Sequence, residues 1–213
     1  MNNETKTVAV VVAHPDDETL WAGGAILGNP GKSYFIASLC RKDDPDRAPK
    51  FSKALAALGA HGAIGDLDDG PEQMPLEEEQ VEQAILRLLP ARQYDLAITH
   101  SIYGEYTRHR RHEEVGRAMI SLWASGRLSI RQYWAFAYDD GNRAHLPVAD
   151  TSTALYNGLS RGLWEKKYSI ITAIYGFDKT SWEARTTPRA EAFHRFFTAR
   201  EAVAWMNREN TAI

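Results

Sequence analysis

Short apolar runs alternate with helical patterns along the first two thirds of the chain. The first run, 7–13, is a continuous β-branched stretch, which is typical of a strand buried on both faces of a parallel sheet. The same reasoning predicts four further strands, at 33–40, 63–67, 94–99 and 131–138. Between the strands, apolar residues at helical spacing predict helices at 20–27, 50–58, 76–89 and 112–124.

This alternation predicts an α/β fold with a Rossmann-like, mostly parallel sheet and helices on both faces. The residues after the fifth strand predict a helical C-terminal tail, with helices at 151–175 and 189–209. No linker or internal repeat divides the chain, so 1–213 is interpreted as a single domain. Ligands of such sheets bind beyond the carboxyl ends of the strands, and chemistry is therefore expected just after Val12, Cys40, Thr99 and Tyr138.

Composition narrows the class of protein. The 213 residues are 44% hydrophobic and 25% charged, with a formal net charge of -3, which argues against a nucleic-acid partner. A single cysteine, Cys40, excludes an intrachain disulfide and a metal cage built from several thiolates. The sequence has neither the apolar core of a signal peptide nor a run long enough to span a bilayer, so we expect no transmembrane segment and a cytoplasmic location.

The first polar cluster is His14-Pro15-Asp16-Asp17-Glu18, directly after the first strand. Three adjacent carboxylates repel one another unless a cation lies among them. Imidazole and carboxylate together are a normal ligand set for a catalytic Zn²⁺. The alternative is a solvated loop in which Asp16 or Asp17 caps the following helix. Because the cluster follows a buried strand, a metal site is the favoured interpretation.

The second cluster is His109-Arg110-Arg111-His112, after the fourth strand. Two histidines three residues apart lie on one side of a helix. One could complete a metal set with the first cluster, and the other could serve as an acid or base. The arginines are interpreted either as a solvated basic loop or as ligands for an anionic group of the substrate.

Together these residues resemble the PIG-L/LmbE-like deacetylase family. The resemblance is carried by Ala13-His14-Pro15-Asp16-Asp17-Glu18, by the Gly23-Gly24 pair and by the later HxxH segment. It implies a Rossmann-like fold and a divalent metal, usually zinc. It also implies removal of an acetyl group from an N-acetylglucosamine unit of a conjugate.

The resemblance assigns roles to residues of this chain. His14, Asp17 and His112 would be the metal ligands, Asp16 the general base, and His109 the group that acts on the oxyanion or on the leaving amine. The residues between the two histidines of HxxH are both basic here, which departs from the family's pattern. A carboxylate that orients His109 would then have to come from Glu113 or Asp139.

Further residues are candidates for contact with a substrate. Arg110 and Arg111 could bind an anionic group, and Arg47 could be what remains of an Arg-x-x-Glu pattern of the family that contacts the substrate. Trp21, one helical turn beyond the metal motif, could stack on a sugar. His100, at the end of a strand near the expected cleft, is a candidate for support of the metal ligands. The expected partner is a small molecule or glycoconjugate, and the tail could mediate a homo-oligomer. Two alternatives remain at this point, a zinc hydrolase of another amide or ester and a non-catalytic metal-dependent glycan-binding protein.

Overall fold

A seven-stranded sheet with helices packed on both faces forms the body of the protein. The computed structural model describes residues 5–208. Its strands are β1 Thr7–Val12, β2 Ser33–Ser38, β3 His61–Ile64, β4 Gln93–Tyr94, β5 Leu96–Thr99, β6 Ser129–Ile130, β7 Tyr133–Phe136, β8 Tyr138–Asp139, β9 Val148–Ala149, β10 Leu155–Gly158 and β11 Ala190–Phe196. Its helices are α1 Asp17–Leu27, α2 Arg47–Leu58, α3 Glu78–Leu88, α4 Arg110–Ala124, α5 Arg161–Ser169, α6 Trp182–Thr186 and α7 Ala199–Asn207, and α5 continues into a π-helical turn, Ile170–Ile174.

The order of strands across the sheet is β10-β11-β7-β5-β1-β2-β3. The five strands from β7 to β3 run parallel. Strand β11 pairs antiparallel with both of its neighbours, β7 and β10. The prediction of a mostly parallel α/β sheet is therefore confirmed. The chain starts in the middle at β1 and proceeds first to one side and then to the other. The order reverses between β1 and β5, so their carboxyl ends open onto a crevice.

Strand β1 is buried on both faces, as its β-branched run predicts. Val8, Val10 and Val12 point into a core that includes residues of α1 and α2. Ala9 and Val11 point into a second core, which includes residues of α3, α4 and α7. Burial on both faces fixes the register of the strand and therefore the position of the loop that follows it.

The mainly helical C-terminal tail also contains two strands that the sequence analysis predicted as helix. Within the predicted helix 151–175, residues Leu155–Gly158 form strand β10, and helix α5 begins only at Arg161. Within the predicted helix 189–209, residues Ala190–Phe196 form β11, which pairs with β7 and β10. This pairing extends the sheet and overrides the helix preference of the alanines and charged residues in the segment.

No helix among residues 5–208 is long and apolar enough to cross a membrane. The predicted polar start of the chain, at residues 1–4, lies outside the described residues. So does Glu209, the predicted last residue of the final helix.

Candidate active site

The first polar cluster forms the loop between β1 and α1 and the first two residues of α1. The backbone N–H of His14 donates to Asp17 Oδ2 at 2.8 Å, and that of Asp16 donates to Glu18 Oε2 at 3.0 Å. Asp16 has a φ of 112°, a conformation that costs a non-glycine residue about 1–3 kcal/mol. Glu18 is fully buried and also accepts the Tyr175 hydroxyl at 2.8 Å. The buried glutamate thus holds the strained loop in a fixed shape.

The second polar cluster lies at the start of α4, beside the first. His109 immediately precedes α4 and His112 lies in its first turn. Their rings stack with centroids 4.3 Å apart. The ring of His14 lies 4.7 Å from that of His109 and 5.4 Å from that of His112. The fold therefore brings together the two clusters that the sequence analysis singled out.

Three side-chain atoms converge between the clusters. His14 Nδ1 lies 3.3 Å from Asp17 Oδ2, and His112 Nε2 lies 3.3 Å from the same oxygen. The two nitrogens are 3.4 Å apart. A tetrahedral site with bonds of about 2.0–2.1 Å separates its ligand atoms by about 3.3 Å. The imidazole and carboxylate donors therefore fit a divalent cation of the zinc type in both chemistry and spacing.

A buried carboxylate, Glu105, orients His112. Glu105 Oε2 accepts from His112 Nδ1 at 2.6 Å and from His100 Nδ1 at 2.9 Å, and its Oε1 accepts the backbone N–H of Ser101 at 3.0 Å. Burial opposes ionisation, but the two histidines lower the pKa of Glu105 to about 2. Since Nδ1 of His112 donates to this carboxylate, Nε2 is the nitrogen of His112 that is left to bind a cation.

His100 supports the site without joining the three converging atoms. Its Nε2 accepts the backbone N–H of Ala13 at 2.9 Å, and its ring stacks on that of His112 with centroids 3.9 Å apart. The side chain is fully buried at the end of β5. His100 thereby connects the loop after β1 to the loop after β5. The sequence pointed to His100 through its place at the end of a predicted strand. Nothing in the sequence pointed to Glu105.

Trp21 fixes the Asp17 carboxylate instead of facing a ligand. Its Nε1–H donates to Asp17 Oδ1 at 3.1 Å, and its ring is completely buried. Burial opposes ionisation of Asp17, but the charge of His112 and hydrogen bonds from His100, His112 and His14 keep its pKa well below the ordinary value. The ring of Trp21 has no exposed face, so it is not available to stack on a sugar.

Asp16 and Arg47 face the cleft together. Arg47 Nη1 donates to Asp16 Oδ2 at 3.1 Å, and its guanidinium lies over the Phe177 ring, 4.4 Å from the centroid. Burial and the negative charge of Asp17 raise the pKa of Asp16 well above its ordinary value. A buried carboxylate with an elevated pKa is a suitable proton acceptor at neutral pH.

His109 is neutral in this arrangement. Burial, together with the positive charges of His112 and His14, lowers its pKa to about 3. Its Nδ1 is buried, with no hydrogen-bond partner among residues 5–208. Glu113 binds the Arg108 guanidinium at 2.8 and 3.0 Å, and Asp139 is exposed. Neither of the two carboxylates considered from the sequence bonds to Nδ1.

The two arginines of the HxxH segment differ in environment. Arg111 is fully buried, and its guanidinium bonds to Glu114 Oε2 at 2.6 Å and to the carbonyl oxygens of Asp68 and Met74. It therefore ties α4 to a neighbouring loop and is not available to a substrate anion. Arg110 is exposed and donates to the carbonyl oxygen of Gln73 at 2.8 Å, outside the set of residues that lines the cleft.

A cleft of about 350 Å³ opens above these groups. Aromatic side chains form part of its wall, with the Tyr106 and Trp182 rings 4.8 Å apart. Arg41 and Arg47 add positive charge beside the carboxylates. The lining residues are His14, Pro15, Asp16, Asp17, Leu20, Arg41, Asp44, Arg47, Tyr106, His109, Trp182 and Glu183. Aromatic faces beside polar groups suit a small, hydroxyl-rich ligand such as a sugar.

Comparison of the sequence with known proteins gives little. No protein-family model matches the chain. The uncharacterized protein L374 of Acanthamoeba polyphaga mimivirus is 24% identical over 127 residues. That alignment covers 53% of this chain and 56% of the viral protein, so the match spans only about half of each.

Comparison of the structure with solved structures is more informative. The N,N'-diacetylchitobiose deacetylase of Pyrococcus horikoshii matches with a TM-score of 0.68 and 16% identity, over 95% of this chain and 86% of that one. The 4-carboxy-2-hydroxymuconate hydratase GalB of Pseudomonas putida matches with a TM-score of 0.62 and 17% identity, over 91% and 97%. The zinc-inhibited form of the teicoplanin deacetylase Orf2 matches with a TM-score of 0.55 and 11% identity, over 97% and 93%.

These identities are low, and what they establish is a shared architecture. The hydratase among the matches demonstrates that this architecture hosts more than one reaction. The resemblance predicted from the AHPDDE and HxxH segments is confirmed at the level of the fold. The chain has the fold of the LmbE/PIG-L deacetylases.

Proposed function

We propose that this protein is a metal-dependent hydrolase that removes the N-acetyl group from an N-acetylglucosamine-containing conjugate. The observation that carries the proposal is the triangle of His14 Nδ1, Asp17 Oδ2 and His112 Nε2, with edges of 3.3–3.4 Å, beside the Asp16 carboxylate. The names of two matching structures, a chitobiose deacetylase and a teicoplanin deacetylase, support the choice of reaction.

His14, Asp17 and His112 would hold the cation, either zinc or another divalent ion. Such an ion polarises a carbonyl oxygen and lowers the pKa of a water molecule towards about 7. The three protein ligands leave room for water and substrate, as in catalytic zinc sites generally. Glu105 and Trp21 keep two of the ligands in place by hydrogen bonds to their other polar atoms.

Asp16 is the proton acceptor in this proposal. Its carboxylate lines the cleft beside Asp17, and Arg47 holds one of its oxygens at 3.1 Å. A carboxylate in this position can take a proton from the attacking water and pass it to the amide nitrogen as the C–N bond breaks. The guanidinium limits rotation of the carboxylate, so the proton acceptor is oriented before the substrate binds.

His109 acts on the carbonyl oxygen or on the leaving amine. Its buried Nδ1 has no partner in the described part of the chain, so the imidazole is available to a substrate in the cleft. The ring therefore meets the substrate as a hydrogen-bonding group. A fixed donor of this kind stabilises charge that develops in the transition state.

The test is release of acetate. Protein of known metal content would be incubated with neutral and anionic N-acetylglucosamine conjugates, and acetate would be measured together with the free amine. We expect both products in equal amounts, both lost on chelation and in His14→Ala. If the protein cleaves an ester or an unrelated amide in preference, it is a hydrolase of another substrate and not an N-acetylglucosamine deacetylase. If the protein binds metal and glycan but forms no product, it is a binding protein and the proposed hydrolase activity is wrong.

A further inference from the structure

The ring of His14 presents a second nitrogen to a second group of metal-ligating atoms. His14 Nε2 lies 3.2 Å from Asp69 Oδ1. His14, Asp69 and Cys40 each offer one ligand atom within 4.8 Å of the others. Nε2 is buried and forms no hydrogen bond with acceptable geometry to any described residue. Imidazole, thiolate and carboxylate are together the ligand types that zinc prefers in proteins. This group lies on the side of the ring away from Asp17 and His112.

A cavity rich in carboxylates leads to this group. Its volume is about 540 Å³, and Asp69 forms part of its wall. The other lining residues are Arg41, Asp43, Asp44, Pro45, Asp66, Leu67 and Asp68. Five carboxylates and one guanidinium give the cavity a negative potential, which raises the local concentration of cations. The cavity shares Arg41 and Asp44 with the cleft of the candidate active site, but Asp16, Asp17 and the histidines are not part of its lining.

We propose that Cys40 Sγ, Asp69 and His14 Nε2 form a second site for a thiophilic divalent cation such as Zn²⁺ or Cd²⁺. On binding, the thiol of Cys40 loses its proton to solvent and a metal–sulfur bond forms. Thiolate ligands select soft cations, whereas the imidazole and carboxylate atoms of the first site also suit harder ions such as Mn²⁺.

The two sites compete for His14. A neutral imidazole has one lone pair, which lies either on Nδ1, facing Asp17, or on Nε2, facing Asp69. A cation bound through Nε2 therefore puts the proton on Nδ1 and removes one ligand from the first site. The second site is inhibitory, and an excess of a thiophilic cation lowers activity. This consequence rests on the proposed function, whereas the binding site itself does not.

Cadmium reports on the site directly, because thiolate–cadmium bonds absorb in the near ultraviolet and Cys40 is the only cysteine in the sequence. The full-length protein would be stripped of metal and titrated with Cd²⁺. We expect a thiolate–cadmium band in the wild type. In Asp69→Asn the same concentration of Cd²⁺ should give a band at least about 10-fold weaker. Asp66→Asn is the matched control, because it removes a carboxylate from the same cavity without touching His14.

Two results would overturn the second site. One is the absence of the band even at an excess of Cd²⁺ over both sites, and the other is an equal loss in Asp66→Asn and Asp69→Asn, which would indicate a general effect of charge. If the wild type releases acetate, Cys40→Ala should do so too and should resist inhibition by excess Zn²⁺; equal inhibition of both proteins would refute the competition for His14. Because the band is read without a substrate, its outcome is independent of the proposed reaction.

Discussion

At the scale of single residues, the candidate site depends on carboxylates that fix which nitrogen of a histidine is free. Glu105 accepts from Nδ1 of His112 and so directs Nε2 towards Asp17. Glu105 Oε2 lies 2.6 Å from His112 Nδ1 and 2.9 Å from His100 Nδ1. An ionised carboxylate has no proton to donate, so both histidines are the donors. The tautomer of the metal ligand is therefore set before a cation binds.

Replacing Glu105 by glutamine tests this arrangement. The amide can accept through one atom only, and its NH₂ group competes with the imidazole N–H groups as a donor. We expect the affinity for Zn²⁺ to fall about 10–100-fold, measured by competition with a chromophoric chelator. Glu113→Gln is the control, because Glu113 is a nearby acid whose carboxylate binds the exposed Arg108 and not a histidine. An unchanged affinity in Glu105→Gln would contradict the role of this carboxylate.

The proposed ligands could be predicted because they lie in two short segments of chain, and their residue types alone suggest a metal. Glu105 and Asp69 could not, since each is an isolated acid whose partner is decided by the fold. Trp21 and Arg111 were predicted to meet a substrate because such residue types often do. Both are fully buried, and each bonds instead to a group within the protein.

At the scale of elements, a buried ion pair holds the helix that carries Asp17. Glu191 of β11 accepts the backbone N–H groups of Gly24 and Ala25, both at 2.7 Å, in the middle of α1. Lys167 of α5 donates to the same carboxylate at 2.6 Å. Both charged side chains are buried, so loss of one partner leaves the other uncompensated, which costs about 3–5 kcal/mol. The C-terminal elements thus position α1 and the proposed metal ligand Asp17 at its start.

The close approach of α1 to its neighbours requires a glycine at position 24. A Cβ there would lie 2.5 Å from a methyl carbon of Leu159. We expect Gly24→Ala to lower the free energy of unfolding by about 1–3 kcal/mol, measured by denaturant titration. Gly162→Ala in α5 meets nothing within 4 Å and should raise the stability by about 0.5–1 kcal/mol. Equal effects of the two substitutions would show that packing at Gly24 is unimportant.

Strands β1 and β5 could be predicted because each is buried on both faces and reads as a continuous apolar run. The segment Ala190–Phe196 could not, because alanine, glutamate and arginine favour helices in isolation. In the folded protein this segment lies between β7 and β10, and hydrogen bonds on both sides decide its conformation. The same strand delivers Glu191 to α1, so the missed strand is also the missed support of the site.

At the scale of the whole molecule, the site lies where the strand order reverses. The loop after β1 supplies His14 and Asp17, and the loop after β5 leads to His112. A cation bound between them would connect segments far apart in the sequence and would stabilise only the folded state. The first site therefore couples metal binding to the stability of the entire domain.

This coupling predicts a rise in melting temperature with metal. At a free Zn²⁺ concentration of about 100 times Kd, binding adds about 2.7 kcal/mol to the stability. For a domain of this size that corresponds to roughly 5–10 °C. Calorimetry with Zn²⁺ and with a chelator measures the difference, and His112→Ala is the control that should lose the shift. A shift of the same size in His112→Ala would place the cation elsewhere.

The most direct test of the central claim is the Asp16→Asn variant, studied for metal content and acetate release in one preparation. The change removes the proposed proton acceptor but none of the three proposed ligands. We expect about one divalent ion per chain, as in the wild type, with kcat for acetate release about 10²–10³-fold lower. Full activity with the metal retained would contradict the proposed mechanism, because the carboxylate beside the metal would then have no part in the reaction.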